Sequence, residues 1–256
     1  AELGFMGMMV SPNYGGAGMD TISYVLAMEE ISKIDASVSV CMSVNNSLVC
    51  WGLETFGTED QKQKYLTPLA KGIKDNDLYI GAFLLSEPEA GSDATSQATT
   101  AEEYGDHYLI NGTKNWITSG GRADVYLVIA QTDREKGHRG INAFIVEKGT
   151  EGFHVGPKED KLGIRGSDTH TLQFNDVKVP KENRIGEDGF GFKFAMKVLS
   201  GGRIGIAAQA LGIAAGALEL SVAYSKERQA FGKEIYKHQA IAFKLADMAT
   251  EVEAAR

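Results

Sequence analysis

The spacing of hydrophobic residues changes twice along the chain and divides it into three zones. Over residues 20–72 apolar side chains recur at helical spacing. Over residues 78–179 short runs rich in β-branched and aromatic residues follow one another, separated by glycine and without helix-length segments. Helical spacing then returns, predicting one long helix over about residues 191–227 and another from His238. This order predicts an α+β protein whose middle zone is an antiparallel sheet or a barrel-like domain.

Local signals refine this picture. Asp20 is placed to cap the first helix, and "TEDQ" at Thr58–Gln61 is a capping box that opens a short helix. Asn111–Gly112 is a dipeptide typical of a β-hairpin turn. The last helix reaches Arg256 without a glycine, asparagine or proline stop signal, and the chain starts in mid-domain-like sequence. We therefore expect a piece of a longer protein.

Composition narrows the function classes. The formal net charge of −8, without a dense Lys/Arg block, argues against a nucleic-acid surface. The two cysteines, Cys41 and Cys50, suit small buried residues in a reducing compartment, and the five histidines lie too far apart for a metal-site pattern. The longest uncharged apolar run, residues 204–218, is shorter than the ~20 residues that a spanning helix needs. We expect no nucleic acid, no metal and no membrane span.

Two stretches carry candidate chemistry. "FLLSEPEAGSD", residues 83–93, ends a strand in a corner whose amides and hydroxyls suit a heteroaromatic ring edge or a phosphate. An ordinary polar loop would have the same composition. In "NGTKNWITSGG", residues 111–121, Trp116 could cover a planar ligand with the Thr118 hydroxyl beside it. The alternative for Trp116 is a core residue at a strand edge.

Together, "LSEPEAGSDA" and the later "GTKNWITSG" resemble the acyl-CoA dehydrogenase family. Further stretches match the family in order: "KEDKLGIRGSDT", "FNDVKVP", "GFKFAM", "GRIGIAAQALGIAAGALE" and "RQAFGKEI". "EEISKIDASVSVCMSVNNSL" is similar to the N-terminal helices of short-chain, butyryl-type members. The resemblance covers essentially the whole chain.

The resemblance implies a fold and an activity. The expected parts are an N-terminal helical domain (1–77), a middle antiparallel β domain (78–185) and the first helices of a C-terminal helical bundle (186–256). FAD would be the cofactor, and a short-chain acyl-CoA would be oxidised to trans-2-enoyl-CoA in fatty acid β-oxidation. An electron-transfer flavoprotein would accept the electrons. The full-length protein would be a homotetramer in the bacterial cytoplasm, which we favour, or in the mitochondrial matrix.

Matching positions also imply site residues. Trp116 would lie against the flavin ring, Thr118 would donate near its N5 atom, and Arg203 would steady the nucleotide part of CoA. Glu87, Glu89 and Asp93 would order their loop. The cofactor-binding set is Phe83, Leu85, Ser86, Trp116, Ile117, Thr118, Arg228, Phe231 and Gln239. The substrate-binding set is Ser92, Ser200, Gly201, Gly202 and Arg203.

No catalytic base is assigned within the chain. The family glutamate is expected beyond Arg256, and the position that carries it in a few subfamilies is Gly202, which also argues against the isovaleryl and long-chain subfamilies. Two alternatives stay open. One is a non-catalytic FAD-binding, CoA-binding or assembly subunit of the same fold, and the other is an oxygen-using acyl-CoA oxidase relative.

Overall fold

The computed structural model describes residues 2–256, with helices at both ends of the chain and a sheet between them. The helices are α1 (Thr21–Ile34), α2 (Ala36–Phe56), α3 (residues 59–71), α4 (Gly191–Glu227) and α5 (Gln239–Ala255). Short 3-10 turns lie at Phe5–Gly7, Pro12–Tyr14, Arg134–Gly140, Lys181–Asn183 and Ile235–Lys237. The strands are β1 (Ile73–Lys74), β2 (Asp77–Leu78), β3 (Gly81–Leu84), β4 (Thr100–Tyr104), β5 (His107–Thr118), β6 (Val125–Gln131), β7 (Ile141–Glu147), β8 (Phe153–Lys158), β9 (Thr169–Pro180), β10 (Arg184–Ile185), β11 (Gln229–Ala230) and β12 (Lys233–Glu234). The α+β prediction and the order of the three zones are confirmed.

Side-chain caps fix the helix starts that the sequence predicted. The Asp20 side chain accepts a hydrogen bond from the Ser23 amide at 2.8 Å, and Asp35 ends α1 and caps α2. The capping box at Thr58–Gln61 is present in both directions. The Gln61 amide group also donates to the carbonyl of Arg184 at 3.0 Å, which ties α3 to β10.

The middle of α2, Val44–Cys50, is π-helical and carries two buried asparagines. Asn46 Oδ1 accepts from the Met8 amide at 2.8 Å, and Asn45 Oδ1 accepts from the Gly81 amide at 2.9 Å. The widened turn thus presents both side chains to backbone groups outside the helix. It joins the N-terminal segment, α2 and the start of β3.

The main sheet has the order β10-β7-β6-β4-β5-β9-β8, with β3 beside β6. Most neighbours are antiparallel, as predicted, but β3 pairs with β6 in parallel, and so does the first residue of β4. The chain follows the same edge of β6 twice, first as β3 and then as β4. Residues 85–99 connect β3 to β4. They leave the edge of β6 and return to it, so β3 and β4 run in the same direction, both parallel to β6, and do not form a hairpin with each other.

The predicted hairpin at Asn111–Gly112 is wrong, because these residues lie inside β5. The strand has a register shift here, and Gly112 has a φ of +147°. A Cβ atom on Gly112 would lie 2.7 Å from Thr99 Cα, so the glycine permits close approach of the 99–100 backbone. The turn between β4 and β5 is formed instead by Gly105 and Asp106, between the paired Tyr104 and His107.

Two hydrophobic clusters lie on the two faces of the sheet. One is formed within the β zone around Tyr126, Phe144 and Phe174, and the other lies between the sheet and the helices around Leu127 and Phe194. Strand β6 is buried along its whole length because it has a covered side chain on each face. Helices from both helical zones therefore pack against the same face of the sheet.

Among residues 2–256, two helices are long and apolar enough to cross a membrane by length and composition alone. They are α2, of which 61% of the most apolar window is buried, and α4, of which 28% is buried. The helix that contains residues 204–218 is 37 residues long, so the argument from the short apolar run does not hold for the whole element. Core helices of soluble proteins meet the same two criteria. The absence of a span stays a prediction.

Glycines allow α4 to lie close against α1. A Cβ atom on Gly212 would lie 2.6 Å from Ser32 Cβ, and one on Gly216 would lie 2.5 Å from the carbonyl oxygen of Lys33. A Cβ atom on Gly205 would likewise lie 2.7 Å from the hydroxyl oxygen of Tyr24. Because these contacts are made with backbone or buried atoms, larger side chains at these positions would push the helices apart.

Gly212→Ala should lower the free energy of unfolding by about 1–2 kcal/mol, because overpacking outweighs the helix propensity gained by alanine. Urea unfolding followed by circular dichroism measures this value. Gly201→Ala on the same helix is the control, since its added methyl group would meet only the Ser47 carbonyl oxygen at 3.8 Å. Equal effects of the two substitutions would contradict the close-packing explanation.

The sheet also contains a buried ion pair between Lys114 Nζ and Glu87 Oε1, 2.6 Å apart, with side chains 0% and 2% exposed. Burial lowers the pKa of Lys114 to about 8, although Glu87 opposes the shift, so the ammonium form still dominates near neutral pH. Burial alone would raise the pKa of Glu87. The charge of Lys114 and hydrogen bonds from Lys114, Thr99 and Ala98 outweigh it, and the pKa lies below its ordinary value.

Glu87→Gln should lower the free energy of unfolding by about 3 kcal/mol near pH 7, because it leaves a buried ammonium without its counter-charge. The pKa of Glu87 is lower in the folded than in the unfolded chain. Its stabilising contribution is therefore present above the ordinary carboxyl pKa and is lost as pH falls. The difference between wild type and variant should shrink on going from about pH 7 to about pH 3. Urea unfolding at both values measures it.

Glu103→Gln is the matched control, because Glu103 pairs with Lys181 on the surface and both side chains are largely exposed. This substitution should change the free energy of unfolding by less than about 1 kcal/mol at either pH. A Glu87→Gln effect that stays constant with pH would refute the assignment of an ionised Glu87.

Candidate functional site

The structure brings the two predicted cofactor segments together at the end of β5. The Asn115 amide donates to the carbonyl of Ser86 at 2.9 Å, and Lys114 Nζ donates to the carbonyl of Leu85 at 3.1 Å. The residues that follow in β5, Trp116 to Thr118, therefore lie beside the strand end that carries Leu85 and Ser86. Sequence separation is about 30 residues, so only the fold makes this meeting possible.

Trp116 occupies a bulge in β5. The register with β9 shifts between Lys114 and Ile117, and Trp116 has a φ of +62°, which is a strained value for a bulky residue. Its side chain is 61% exposed, whereas Lys114 and Ile117 on either side are buried. The bulge thus turns a large aromatic ring out of the sheet. Strain of this kind is typical of functional sites.

The residue before Trp116 carries an acceptor atom without a partner. Asn115 Oδ1 is buried and has no hydrogen-bond donor among the described residues. A buried amide oxygen without a donor costs about 1–3 kcal/mol. The bulge therefore combines an exposed aromatic surface with a buried acceptor that has no donor among the described residues.

The turn after Thr118 is held by a second group of polar residues. Asp168 Oδ2 accepts from the Gly121 amide at 2.9 Å, and its other oxygen lies 2.7 Å from His170 Nε2. His170 Nδ1 lies 2.7 Å from the carbonyl oxygen of Gly156. These contacts fix the backbone just beyond the position predicted to serve the flavin N5 atom.

The predicted cofactor-binding residues of segments 83–86 and 115–118 differ in which of their atoms are available to a ligand. The Ile117 side chain is 2% exposed and packs in the sheet core, so only its backbone is available to a ligand. Phe83 and Leu85 are partly buried against the cluster between sheet and helices. Ser86 and Thr118 are half-buried. Their roles toward FAD stay predictions.

Two of the three loop acids order their loop, as the sequence predicted. Glu87 accepts from the amides of Ala98 and Thr99, and Asp93 accepts from the hydroxyls of Thr95 and Ser96. Glu89 is exposed. Ser92, predicted to contact CoA, lies in the same loop and is exposed.

The predicted substrate residues on α4 lie in its first half. Ser200 and Arg203 are exposed, and Gly202 is buried, with its Cβ position 2.8 Å from Leu48 Cδ2. Gly201 lines a small cavity of about 80 Å³ between α4 and the N-terminal helices. Its other lining residues are Met9, Thr21, Tyr24, Ser47, Trp51 and Ile204.

Arg228, Phe231 and Gln239 form a separate group at the far end of α4. They lie around the β11–β12 hairpin and the start of α5, and Phe231 is 97% exposed with a φ of +53°. Within residues 2–256 no hydrogen bond joins them to segments 83–86 or 115–118. The single chain therefore does not assemble the whole predicted cofactor set.

A larger cavity, of about 870 Å³, lies elsewhere, between α3 and the ends of β7 and β9. None of the predicted site residues lines it. Among its charged groups, Lys64 pairs with Glu147 at 2.8 Å, and Lys181 and Arg184 pair with carboxylates outside the lining. Size alone therefore does not make it the functional site, and we favour the bulge at Trp116.

Sequence reasoning missed Lys114 as part of the site. The signal was present, because Lys114 has the same strand parity as Tyr108 and Ile110, which point into the core. A lysine at an inward position requires buried acceptors. Asp168 and His170 carried no comparable signal, since their partners come from the distant turn at Gly121.

Family models match most of the chain. The N-terminal, middle and C-terminal domain models of acyl-CoA dehydrogenase match residues 1–73, 82–177 and 189–256. A short-chain specific acyl-CoA dehydrogenase of Clostridium acetobutylicum is 53% identical over 255 residues, covering 100% of this chain and 66% of the relative. The mitochondrial short-chain specific enzyme of Mus musculus is 51% identical, with 100% and 61% coverage. The chain thus spans just under two thirds of the length of such relatives.

Solved structures agree closely with the fold. Butyryl-CoA dehydrogenase of Megasphaera elsdenii has a TM-score of 0.94 at 52% identity, covering 99% of this chain and 66% of that one. A chain in a structure described as the electron transferring flavoprotein of Acidaminococcus fermentans has a TM-score of 0.95 at 53% identity, with 99% and 65% coverage. An acyl-CoA dehydrogenase from Bacillus anthracis complexed with FAD has a TM-score of 0.92 at 39% identity, with 99% and 43% coverage.

The three domain models match in family order along the helical, β and helical zones, and the bulge at Trp116 lies inside the middle one. With half of its residues shared with short-chain members along its whole length, this chain belongs to the acyl-CoA dehydrogenase family.

Proposed function

We propose that this chain provides the FAD-binding and part of the acyl-CoA-binding machinery of a short-chain acyl-CoA dehydrogenase. The observation that carries the proposal is the junction of segments 83–86 and 115–118, where the exposed, strained Trp116 follows Asn115, whose buried side-chain oxygen has no donor among the described residues. The relatives named short-chain specific, and the butyryl-CoA dehydrogenase structure, support a short acyl chain.

The residues at this junction fit a flavin. Its ring is planar and carries polar atoms at its edge, so it suits an aromatic surface with the hydroxyls of Ser86 and Thr118 in the adjoining segments. When bound, FAD would accept the hydride that leaves the substrate. Thr118 is held in place by its pairing with Thr169, and the turn beyond it is fixed by Asp168. We propose that the flavin ring is bound by Trp116, Ser86, Thr118 and the backbone of Ile117.

Substrate binding would use Ser92 and the start of α4. Arg203 is exposed and free to meet a phosphate or carbonyl group of CoA, and Ser200 is exposed one turn before it. Gly202, between them, offers no carboxylate that could remove the substrate α-proton. We propose no base among residues 1–256. Arg228, Phe231 and Gln239 are assigned to the remainder of FAD, across an interface with a second copy.

The remaining assignments concern the whole protein. We propose an electron-transfer flavoprotein as the electron acceptor, supported by the similar chain from the Acidaminococcus fermentans structure. A homotetramer would bring the exposed residues around the β11–β12 hairpin to a neighbouring copy. Relatives from bacteria and relatives named mitochondrial both share 50–53% identity with this chain, and we propose the bacterial cytoplasm over the mitochondrial matrix.

A second candidate function is a non-catalytic FAD- or CoA-binding subunit of the same fold. The absence of a side chain at Gly202 favours it for this chain taken alone. An oxygen-using oxidase relative would differ in one property, since its reduced flavin would be reoxidised rapidly in air.

Trp116→Ala should weaken FAD binding about tenfold, because an aromatic contact of this kind contributes about 1 kcal/mol or more. Fluorescence titration with FAD measures the dissociation constant. The fold should be unaffected, because the ring is already 61% exposed. Tyr104→Ala, which removes an exposed aromatic side chain elsewhere on the sheet, is the control and should bind FAD like wild type. Equal affinities of the two variants would place the flavin elsewhere.

An anaerobic visible spectrum of the chain with FAD, before and after butyryl-CoA, tests the catalytic assignment. We expect bound flavin that stays oxidised, because no residue of the chain is assigned as base. Bleaching would support the dehydrogenase and overturn the assignment of no base. Absence of bound flavin would contradict the cofactor proposal. After reduction with dithionite, fast reoxidation in air would favour the oxidase relative.

A further inference from the structure

We propose that the buried Lys114–Glu87 pair is a positioning device for the flavin site, which holds the two cofactor segments at a fixed separation. The inference rests on the proposed FAD site but concerns residues that are not expected to touch the cofactor. Lys114 precedes Trp116 by two positions in β5, and Glu87 follows Ser86 directly. The pair therefore links the ends of both segments.

The Lys114 ammonium group has three acceptors for its three N–H bonds. They are the carbonyl oxygen of Leu85 at 3.1 Å, Glu87 Oε1 at 2.6 Å and Gln97 Oε1 at 3.1 Å. All are buried or partly buried, so water does not compete for the donors. One side chain on β5 thus holds the start, the first turn and the end of the 85–97 loop.

Glu87 completes the connection on the loop side. Its Oε2 accepts from the Ala98 amide at 2.6 Å and its carboxylate also accepts from the Thr99 amide at 3.2 Å. Its backbone exchanges hydrogen bonds with Ala90. The carboxylate therefore closes the loop just before the chain enters β4.

The loop has few other connections to the sheet. Beyond the β3–β6 ladder, the hydrogen bonds that join residues 85–97 to the sheet come from Lys114 Nζ and from the Asn115 amide, which donates to Ser86. The remaining bonds of these residues stay within the loop or reach its last amides. The placement of Leu85 and Ser86 relative to Trp116 thus depends on Lys114 together with the Asn115 amide.

Stability alone does not require an ion pair at this position. Burying two charges costs desolvation, and apolar side chains of similar volume often stabilise a core equally well. An ammonium ion with three acceptors adds direction, because it orients two carbonyl groups and a carboxylate at once. This property is what a site with fixed distances to a planar cofactor needs.

The test separates positioning from stability with three variants of the whole chain: Lys114→Met, the double variant Glu87→Gln with Lys114→Met, and Lys64→Met. In the double variant no buried charge is left unpaired, and the new side-chain amide at position 87 still offers an acceptor to the Ala98 and Thr99 amides. Lys64→Met is the control, because it breaks the half-exposed Lys64–Glu147 pair outside the site. Urea midpoint, amide hydrogen exchange and FAD affinity are measured for each.

We expect Lys114→Met to lower the urea midpoint and the double variant to recover it largely. In both, the amides of residues 86–97 and of Asn115 should exchange at least about tenfold faster than in wild type, while those of β6 and β7 are unchanged. The FAD dissociation constant should rise about tenfold in both, equivalent to one lost charge-assisted hydrogen bond. Lys64→Met should leave exchange and affinity as in wild type.

Wild-type exchange and affinity in the double variant would overturn the inference, because the pair would then serve stability only. Faster exchange with wild-type affinity would overturn its link to the cofactor. If wild type itself binds no FAD, the proposed function fails. In that case the role of the Lys114–Glu87 pair in FAD binding is also refuted. Amide hydrogen exchange still decides whether Lys114 holds the 85–97 loop.

Discussion

An ammonium group without access to water needs three acceptors, and the structure around the candidate site follows from this requirement. Lys114 lies on the inward face of β5 and draws Leu85, Glu87 and Gln97 toward itself. The 85–99 loop therefore folds back onto the end of β5 instead of extending into solvent. The strand end that carries Leu85 and Ser86 meets the bulge that carries Trp116. The geometry of the candidate site therefore depends in part on how one buried charge is satisfied.

A different constraint governs the packing of the helices. Gly205, Gly212 and Gly216 let α4 approach α1 closely, and Gly202 continues this series toward the candidate substrate region, where it faces Leu48. The same absence of a side chain that permits close packing at Gly202 also removes any carboxylate from that position. Packing and chemistry are therefore linked at this residue, and a glutamate here would have to displace a side chain of α2.

Features with local causes could be predicted from the sequence. The caps at Asp20 and Thr58 and the extent of α4 depend on residues close to them in the chain, and they were found in the structure. Asn111–Gly112 was misread as a hairpin because its glycine serves a close approach to Thr99, which lies 13 positions away from it. The parallel β3–β6 pair was missed because it depends on where the 85–99 loop returns. Pairings over such distances leave no local pattern.

Some features of the candidate site could be predicted from the sequence and others could not. The resemblance named Ser86, Trp116 and Thr118, and the structure brings their segments together, but it also shows the Ile117 side chain inside the core. Strand parity marks Lys114 as an inward-facing residue, but its partners could not be predicted, since its three acceptors lie 17–29 positions away. Buried polar networks are the part of a fold that single-sequence patterns describe least well.

A crystal structure of this chain with FAD would show which surface holds the flavin ring and whether the Lys114–Glu87 pair lies intact at that site. We expect the flavin ring against Trp116, with its polar edge toward Ser86 and Thr118 and with the Lys114–Glu87 pair intact. A ring bound elsewhere, for example in the cavity between α3 and the ends of β7 and β9, would contradict it. So would a bound flavin at Trp116 with the loop displaced and the ion pair broken.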